Sequence, residues 1–201
     1  MVDSNSEFYA KMPDGPPKTT AVLGTKVARF LFRALGWHFE GKIPDIKKAV
    51  VVIAPHTSNI DFLMLVLAKY SVRLGASYMM KKEAFFWPLK KWFIDVGGIP
   101  IDRSQPTRIV SQVTKQIRDH EKIWLAITPE GTRKKVQKYK TGFARIAHAA
   151  NVPIVLIGFN YKRRAIIFDQ ARMPSGNHEQ DAEELREYCR AHFVARHPEN
   201  Q

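Results

Sequence analysis

The sequence predicts one α/β domain, a single layered unit in which helices flank a central, largely parallel or mixed sheet, with an N-terminal amphipathic helix in addition. The length of 201 residues is typical of one domain with a substantial core. Hydrophobic residues make up 45% of the chain and charged residues 25%, which is the balance of a folded protein. Short apolar runs alternate with segments of helical periodicity, and this alternation is typical of layered α/β folds.

The N-terminal part of the chain divides into an arm and a helix. Residues 1–20 are rich in proline, glycine and small polar residues, which predicts a flexible arm before a domain over residues 21–201. Over residues 21–37 the pattern predicts a basic amphipathic helix, because Lys26, Arg29 and Arg33 lie opposite an apolar set at helical spacing. Such a helix either docks on the protein's own core or lies at a membrane surface, and both alternatives stay open. The apolar set is Val22, Leu23, Val27, Phe30, Leu31, Ala34 and Leu35.

The remaining elements follow in order from the apolar runs and the helical patterns between them. The run at residues 49–54 is continuously apolar and largely β-branched, which favours a strand buried on both faces. Further strands are predicted at residues 77–80, 98–101, 123–127, 153–159 and 165–168. Helices are predicted at residues 60–73, 82–96, 107–121, 142–150 and 181–196.

The charge balance is strongly basic. The chain has 32 Lys and Arg residues against 19 Asp and Glu residues, a formal charge of +13 that attracts polyanions. Nucleic acid, anionic lipid head groups and acidic carrier proteins all qualify, and charge alone does not choose among them. The first residues lack the order of a signal peptide, and no stretch approaches the ~18 apolar residues of a membrane-spanning helix. We therefore expect any membrane contact to be peripheral.

The first polar cluster, residues 55–61, follows the buried strand and contains His56 and Asp61. On a continuous helix their spacing would turn the two side chains about 140° apart, so they can meet only if His56 lies in the loop and Asp61 in the first helical turn. Thr, Ser and Asn at residues 57–59 favour such a helix start. A carboxylate that orients an imidazole leaves its other nitrogen free to act as a general base. The alternative for His56 is an ordinary surface or core histidine.

Two other side chains could be proposed as nucleophiles, and both are expected to have structural roles instead. Ser58 lacks the Gly-x-Ser-x-Gly pattern of a nucleophile elbow and is better explained as a cap or turn residue. Cys189 lies on the last predicted helix and is expected to be a small buried hydrophobe. A single cysteine also excludes an internal disulfide framework and a cysteine-based zinc site, and we expect no metal.

Two later clusters of polar residues also follow apolar segments. In residues 97–103 a glycine pair leads into a strand that ends at Arg103, whose planar fork of donors matches a phosphate. The alternative for Arg103 is a surface pair with Asp102. Residues 128–135 combine the carboxylate of Glu130 with three cations, and by themselves they form only a polar turn.

Taken together, these clusters resemble the glycerolipid acyltransferase family, which includes the lysophosphatidic acid acyltransferases. The family's His-x-x-x-x-Asp motif matches His56 to Asp61, and its apolar strand ending in Asp-Arg matches residues 99–103. Its Pro-Glu-Gly-Thr-Arg motif is present in full at residues 129–133, and its Val-Pro-Ile-Val run is present at residues 152–155. Order and spacing agree over residues 49–160, and the four motifs in order are specific where each alone is weak.

The resemblance implies a reaction and a set of roles. His56 would deprotonate the free hydroxyl of a lysolipid, which attacks an acyl thioester directly, and Asp61 would orient His56. The implied acceptor is 1-acyl-glycerol-3-phosphate, in phospholipid biosynthesis, and the implied donor is acyl-CoA or an acyl carrier protein, with no cofactor. The residues implied to bind substrate are Arg103, Glu130, Gly131, Thr132 and Arg133. Departures from the family pattern at Pro100, Thr128 and Leu156 leave the acceptor's identity open.

Aromatic residues beside lysines and arginines predict contact with an anionic membrane surface. Aromatic rings favour the head-group boundary and basic side chains favour anionic lipid. We therefore predict a peripheral protein on the cytoplasmic face of the membrane, although the same stretches could instead be core with a solvated basic rim. The predicted membrane contacts are Phe30, Trp37, Phe85, Phe86, Trp87 and Trp92.

Other functions compete with acyl transfer to this acceptor. Another lysophospholipid or a lyso-aminolipid is an alternative acceptor, and water as acceptor would make the protein a thioesterase. A basic nucleic-acid-binding module would explain the charge but leaves the four ordered motifs unexplained, so we predict no nucleic-acid partner.

Overall fold

The computed structural model describes residues 11–20, 22–102, 104 and 106–201. The strands are β1 (His38–Gly41), β2 (Lys48–Ala54), β3 (Ser77–Lys81), β4 (Gly98–Ile101), β5 (Ile123–Ile127), β6 (Ile154–Asn160) and β7 (Ala165–Arg172). The α-helices are α1 (Val22–Ala34), α2 (Asn59–Ser71), α3 (Leu89–Asp95), α4 (Pro106–Asp119), α5 (Gly142–Ala150) and α6 (His178–His192).

The strands form one sheet in the order β1-β7-β6-β2-β5-β3-β4. Neighbouring strands are parallel, except that β6 and β7 are antiparallel. The predicted single domain with a largely parallel or mixed sheet is therefore confirmed. β2 lies between β5 and β6, so the loop that follows it leaves the sheet at its centre.

Each face of the sheet carries its own hydrophobic core, and β2 contributes to both because side chains alternate along a strand. Val50, Val52 and Ala54 pack with buried side chains of α4, α5 and α6. On the other face, Ala49, Val51 and Ile53 pack with buried residues of α1 and α2. Cys189 of α6 is fully buried in the first core, as predicted.

Three elements differ from the sequence predictions. The predicted helix 82–96 is interrupted: a 3₁₀ turn at Lys82–Ala84 precedes α3, because Pro88 has no backbone N–H and keeps the residue before it out of the helical region. β1 was not predicted, since its four residues gain their pairing from β7 and carry little apolar signal of their own. β7 extends to Arg172 along its antiparallel partner β6.

The predicted flexible arm is wrong for residues 11–20, which are bonded to the domain. The backbone amide of Thr19 donates to the Arg73 carbonyl at 2.9 Å, and the Gly75 amide donates to the Pro17 carbonyl at 2.7 Å. The Gly15 amide donates to the Asp45 carboxylate at 2.5 Å. These bonds replace water on the backbone and fix the segment against the loop after α2. Residues 1–10 lie outside the described residues.

Helix α1 turns most of its apolar set away from the core. Its buried residues are Thr25, Ala28 and Phe32, and the Phe32 ring stacks on Phe39 with 4.7 Å between centroids. The helix therefore docks through a narrow stripe of small side chains and one phenylalanine. The remaining apolar residues with described side chains are exposed; they are Val27, Phe30, Leu31, Ala34 and Leu35. The side chains of Val22 and Leu23 lie outside the described part of the chain.

Candidate active site

The loop between β2 and α2 forms the turn that the sequence predicted. His56 lies in the loop, and Asp61 lies in the first turn of α2. The Asp61 Oδ2 atom accepts hydrogen bonds from the backbone amides of Thr57 and Ser58, each at 2.8 Å. The Ser58 Oγ atom accepts from the Ile60 amide at 3.2 Å and completes a capping box. Ser58 is therefore a cap residue, and its hydroxyl is engaged at the helix start.

His56 and Asp61 are in contact. The Nδ1 atom of His56 lies 3.3 Å from the Asp61 Oδ2 atom, and the His56 side chain is largely buried. The imidazole is turned so that Nδ1 does not complete a hydrogen bond. Catalytic hydrogen bonds are often long in enzymes without substrate and tighten when substrate binds. The pair thus has the arrangement of a general base with a carboxylate partner.

Asp61 is fully buried but stays ionised. Burial alone would raise the pKa of Asp61, but His56, the Tyr161 hydroxyl and the Ser58 amide together outweigh it, so this pKa lies below its ordinary value. The carboxylate also lies at the N-terminus of α2, where the helix dipole favours negative charge. An ionised Asp61 can stabilise the imidazolium that forms when His56 takes a proton.

Tyr161 belongs to this cluster and was missed by the sequence analysis. Its hydroxyl donates to the Asp61 Oδ1 atom. Tyr161 directly follows β6, which is the parallel neighbour of β2, so both strands deliver their next residues to the same edge of the sheet. A polar residue at that position was the available signal.

Glu130 is located behind His56. It is 7% exposed, and its Oε1 atom accepts from the backbone amide of His56 at 3.0 Å. The Oε2 atom is buried without a hydrogen-bond partner among the described residues, and burial raises the pKa of Glu130 to about 7. The structure thus places the Glu130 carboxylate under the loop, where it supports His56, and its predicted contact with the acceptor stays a prediction.

A cavity of about 530 Å³ opens beside His56. Its lining includes Gly131, Thr132 and Arg133, three of the residues predicted to bind substrate, and because Thr132 and Arg133 are exposed we call this side of the cavity, with His56, its mouth. The rest of the wall is mainly apolar and comes from the sheet, from α2 and from the segment around α3. Gly131 has a φ of +65°, and a Cβ there would lie 2.8 Å from the Lys140 Nζ atom, so glycine suits this tight position.

Lys69 lies in the wall of this cavity, which also includes Lys81 and Arg133. Its Nζ atom donates to the carbonyls of Ala76 at 2.6 Å and Val96 at 2.8 Å. Burial lowers the pKa of Lys69 to about 8. Lys69 thus bonds the end of α2 to the segments that precede β3 and β4.

The loop that follows Glu130 carries positive charge to the cavity mouth. Arg133 is exposed there and lines the cavity. Arg103, predicted to hold a phosphate, lies outside the described residues. Four more exposed cations belong to the same loop, namely Lys134, Lys135, Lys138 and Lys140.

The predicted membrane contacts divide into two groups. Trp37 is wrong as a membrane contact, because it is 6% exposed and its indole packs edge-on against Tyr161 with 5.0 Å between centroids. Phe85 is half-buried against Phe93. The others are exposed, from 39% for Trp92 to 89% for Trp87; they are Phe30, Phe86, Trp87 and Trp92.

The fold and the site define an α/β protein with a histidine–aspartate pair at the mouth of an apolar cavity. The model of the Acyltransferase family matches residues 25–160, which contain all four sequence motifs. The chain belongs to the acyltransferase family. This result confirms the family resemblance of the motifs.

Two similar proteins carry more specific names. The chain is 31% identical over 115 residues to a protein of Mycoplasma pneumoniae named "Probable 1-acyl-sn-glycerol-3-phosphate acyltransferase". That match covers 54% of this chain and 43% of the relative, so the chain spans less than half of the relative's length. The crystal structure of the 1-acyl-sn-glycerophosphate acyltransferase PlsC from Thermotoga maritima is similar with a TM-score of 0.57 and 19% identity, covering 84% of this chain and 75% of PlsC. At this identity the likeness shows a shared fold.

Proposed function

We propose that this protein transfers a fatty acyl group from a thioester to the free hydroxyl of a lysolipid, with 1-acyl-glycerol-3-phosphate as acceptor, in phospholipid biosynthesis. The observation that carries the proposal is the contact between His56 and Asp61 at the mouth of the apolar cavity. Membership of the acyltransferase family supports the reaction type. The names of the two similar proteins support the acceptor.

The chemistry follows from the geometry of the pair. Neutral His56 takes the proton of the acceptor hydroxyl while the hydroxyl oxygen attacks the thioester carbonyl. The tetrahedral intermediate then expels the thiolate, which receives the proton from the His56 imidazolium. Ionised Asp61 stabilises that imidazolium between the two proton transfers.

Direct transfer, without an acyl-enzyme intermediate, fits the side chains near the site. The Ser58 hydroxyl accepts the capping hydrogen bond of α2. Cys189 is fully buried, and burial raises the pKa of its thiol to about 12, so the thiolate that would attack is scarce at neutral pH. The acceptor hydroxyl is the remaining nucleophile for His56 to activate.

The cavity suits the acyl chain. Its apolar wall removes methylene groups from water, and each buried CH₂ contributes about 0.8 kcal/mol. The cations at the mouth suit the phosphate of the acceptor. Arg103 and Arg133 are the arginines that we propose for this contact, with Gly131 and Thr132 beside them.

Exposed apolar side chains of α1, of α2 and of residues 86–94 form a surface that meets the cavity wall at Phe86, and we assign to it a peripheral contact with the cytoplasmic face of an anionic membrane. Phe86 belongs both to this surface and to the cavity wall, so a lipid can pass from one to the other. Phe62 of α2 contacts the Trp92 ring, and α1 packs against α2. No helix in the described residues has both the length and the apolar character needed to cross a bilayer. The surface consists of Val27, Phe30, Leu31 and Leu35 of α1, Ile60 and Leu63 of α2, and Phe86, Trp87, Leu89, Trp92 and Ile94.

One experiment tests the proposed function. The purified protein is incubated with acyl-CoA or acyl carrier protein and with lysophosphatidic acid, other lysophospholipids or lyso-aminolipids, and products are identified by mass spectrometry. We expect phosphatidic acid as the main product, and none with a His56→Ala variant. Release of free fatty acid at equal rates with and without lysolipid would instead indicate a thioesterase. The same assay decides between the two donors.

A further inference from the structure

We propose that Tyr161 is a positioning residue of the acyl transfer reaction, which fixes the Asp61 carboxylate in the orientation that presents Oδ2 to His56. Tyr161 lies outside the four sequence motifs, one residue beyond the end of β6. This inference rests on the proposed function, in which His56 is the general base. The hydroxyl of Tyr161 donates to the Asp61 Oδ1 atom.

The two oxygens of the Asp61 carboxylate have different partners. Oδ2 accepts from the amides of Thr57 and Ser58 and lies 3.3 Å from the His56 Nδ1 atom. Oδ1 accepts from the Tyr161 hydroxyl. Because Asp61 is fully buried, water does not replace this donor when it is lost. Rotation of the carboxylate would break contacts at both oxygens, so Tyr161 restricts that rotation.

The Tyr161 ring is itself held in place. Trp37 packs edge-on against it, with 5.0 Å between centroids and an interplanar angle of 88°, and Phe159 lies at 5.6 Å. The Tyr161 amide donates to the Val194 carbonyl at 3.0 Å. These contacts fix the position of the hydroxyl independently of its hydrogen bond to Asp61. A residue that orients another must itself be held in this way.

Charged groups around the hydroxyl keep it protonated as a donor. Burial and the Asp61 carboxylate raise the pKa of Tyr161, while Arg196 acts in the opposite direction. His56 and Glu130 are the other titratable groups that act on Asp61 or lie beside it. At neutral pH Tyr161 therefore donates and does not ionise.

Removal of the hydroxyl has a defined effect on the pH profile. A hydrogen bond draws charge from the carboxylate, so its loss leaves more negative charge facing His56 and raises the pKa of the imidazolium. The pKa of Asp61 also rises, because one bond to its ionised form is lost. Both shifts move the acid limb of the kcat profile to higher pH. A residue with only a packing role would not move this limb.

The test compares Tyr161→Phe with Tyr188→Phe. Tyr188 is a matched control, because its hydroxyl also donates to an aspartate, Asp169, at 3.0 Å, in a contact separate from the site. We expect Tyr161→Phe to lower kcat by about 10- to 100-fold, the loss that is typical when a residue that orients a metal-ligating side chain is removed, and to move the acid limb to higher pH. The acceptor KM should change little. Tyr188→Phe should keep the wild-type kcat and profile.

A double-mutant cycle shows whether Tyr161 acts through Asp61. In an Asp61→Asn background, Tyr161→Phe should cause little further loss of kcat, because the carboxylate that it orients is absent. Equal losses in both backgrounds would overturn the proposal. So would a folded Tyr161→Phe variant with the kcat and pH profile of the wild type.

A second substitution covers the case in which Tyr161→Phe fails to fold. Tyr161→3-fluorotyrosine keeps the ring and the hydroxyl but makes a stronger donor, so the acid limb should move to lower pH; an unmoved limb would contradict the proposal. The pKa of His56, measured by NMR without substrate, should move in the same direction as the limb for each variant. This readout separates the two claims: absence of acyl transfer by the wild type refutes the proposed function, whereas an unchanged His56 pKa refutes the role of Tyr161.

Discussion

His56 is held at two points by two different carboxylates. Its imidazole contacts Asp61, and its backbone amide donates to Glu130. The contact with Asp61 stabilises the protonated imidazole, and the bond to Glu130 fixes the position of the His56 backbone. Substitutions at the two carboxylates should therefore have different consequences.

Loss of the base or its partner should nearly abolish acyl transfer. We expect His56→Ala and Asp61→Asn each to lower kcat by about 100- to 10,000-fold, because a hydroxyl is a poor nucleophile at neutral pH without a positioned base. Circular dichroism should show an intact fold for His56→Ala. Substantial activity of the folded His56→Ala protein would remove His56 from the mechanism.

Glu130 should tolerate an amide but not a methyl group. Glu130→Gln keeps an oxygen that accepts from the His56 amide and should retain most of the kcat, whereas Glu130→Ala leaves that amide without its partner and should lose much more. The raised pKa of Glu130 also predicts how stability depends on pH. The wild type should lose free energy of unfolding as pH rises from 4.5 toward 7, because the carboxylate ionises more readily in the unfolded chain than when it is buried. In urea unfolding, wild type and Glu130→Gln should agree below pH 4.5, diverge as pH rises from 4.5 toward 7 and stay apart above it, with the amide variant the more stable. A larger kcat loss in Glu130→Gln than in Glu130→Ala would contradict the positioning role.

Arg103 separates recognition of the acceptor's phosphate from the chemistry. If its guanidinium binds the phosphate in ground state and transition state alike, Arg103→Ala should raise the acceptor KM far more than it lowers kcat, with the donor KM nearly unchanged. Arg103→Lys should recover only part of the loss, since a point charge does not reproduce a bidentate contact. Steady-state kinetics with phosphate and non-phosphate acceptors measure both effects. A loss of kcat at constant acceptor KM would end the phosphate assignment.

At the residue scale, the sequence predicts the contacts of the site that lie close together in the chain. The turn that joins His56 to Asp61 could be predicted, because the cap residues and the five-residue spacing allow only one arrangement. The contacts of Glu130 and Tyr161 could not, because they lie 74 and 100 residues from their partners. Only the order of the strands brings them together.

At the scale of elements, α1 is the helix whose pattern was ambiguous. An apolar stripe is equally compatible with a core and with a membrane, and the sequence does not say which side of the helix meets the sheet. The structure buries Thr25, Ala28 and Phe32, so the larger apolar set faces outward. The interruption before α3 was also missed because of an apolar pattern. Residues 82–96 have helical periodicity, which predicted one helix although Pro88 ends the regular structure before α3.

The outward stripe of α1 should contribute to membrane binding. Phe30 is 71% exposed, so Phe30→Ser should leave the fold intact and weaken sedimentation with anionic vesicles, because a buried Phe side chain contributes about 1.5–3 kcal/mol. Met173→Ser is the control, since Met173 is an exposed apolar residue that belongs to neither α1 nor α3. Deletion of residues 1–37 is a poor test because it also removes Phe32 and Trp37 from the core. Unchanged sedimentation of Phe30→Ser would remove α1 from the membrane contact.

At the scale of the whole molecule, the segment after α6 closes onto the sheet beside the site. Val194 bridges to Asn160 at the end of β6, and the His197 amide donates to the Thr57 hydroxyl at 3.2 Å. Phe193 packs over Gly158 of β6, where an added Cβ would lie 2.3 Å from the ring. The fold class and most elements were predictable from the alternation of patterns, but this closure was not, because it depends on the absence of a side chain at one central strand position.

Gly158 should therefore be sensitive to a single methyl group. Gly158→Ala should lower the free energy of unfolding by about 1–3 kcal/mol through overpacking, with a lower Tm in thermal unfolding. Gly142→Ala is the matched control, because a Cβ at the start of α5 meets nothing within 4 Å and alanine is the better helix former. A Gly158→Ala protein as stable as the control would contradict this prediction, because it would show that the Phe193 ring moves aside without lowering the free energy of unfolding.

The sequence distances within the site have a consequence for how activity arises during folding. The bonds from Thr57 and Ser58 to Asp61 span three or four residues and can form in an isolated turn. The bonds from Glu130, Tyr161 and His197 span 74, 100 and 140 residues, and they form only when distant parts of the chain have assembled. A chain with its helices in place but its last segment undocked would hold Asp61 in its turn and leave Thr57, the residue after His56, without its bond from His197. The complete site thus depends on contacts between parts of the chain that are far apart in sequence, and local structure alone does not assemble it.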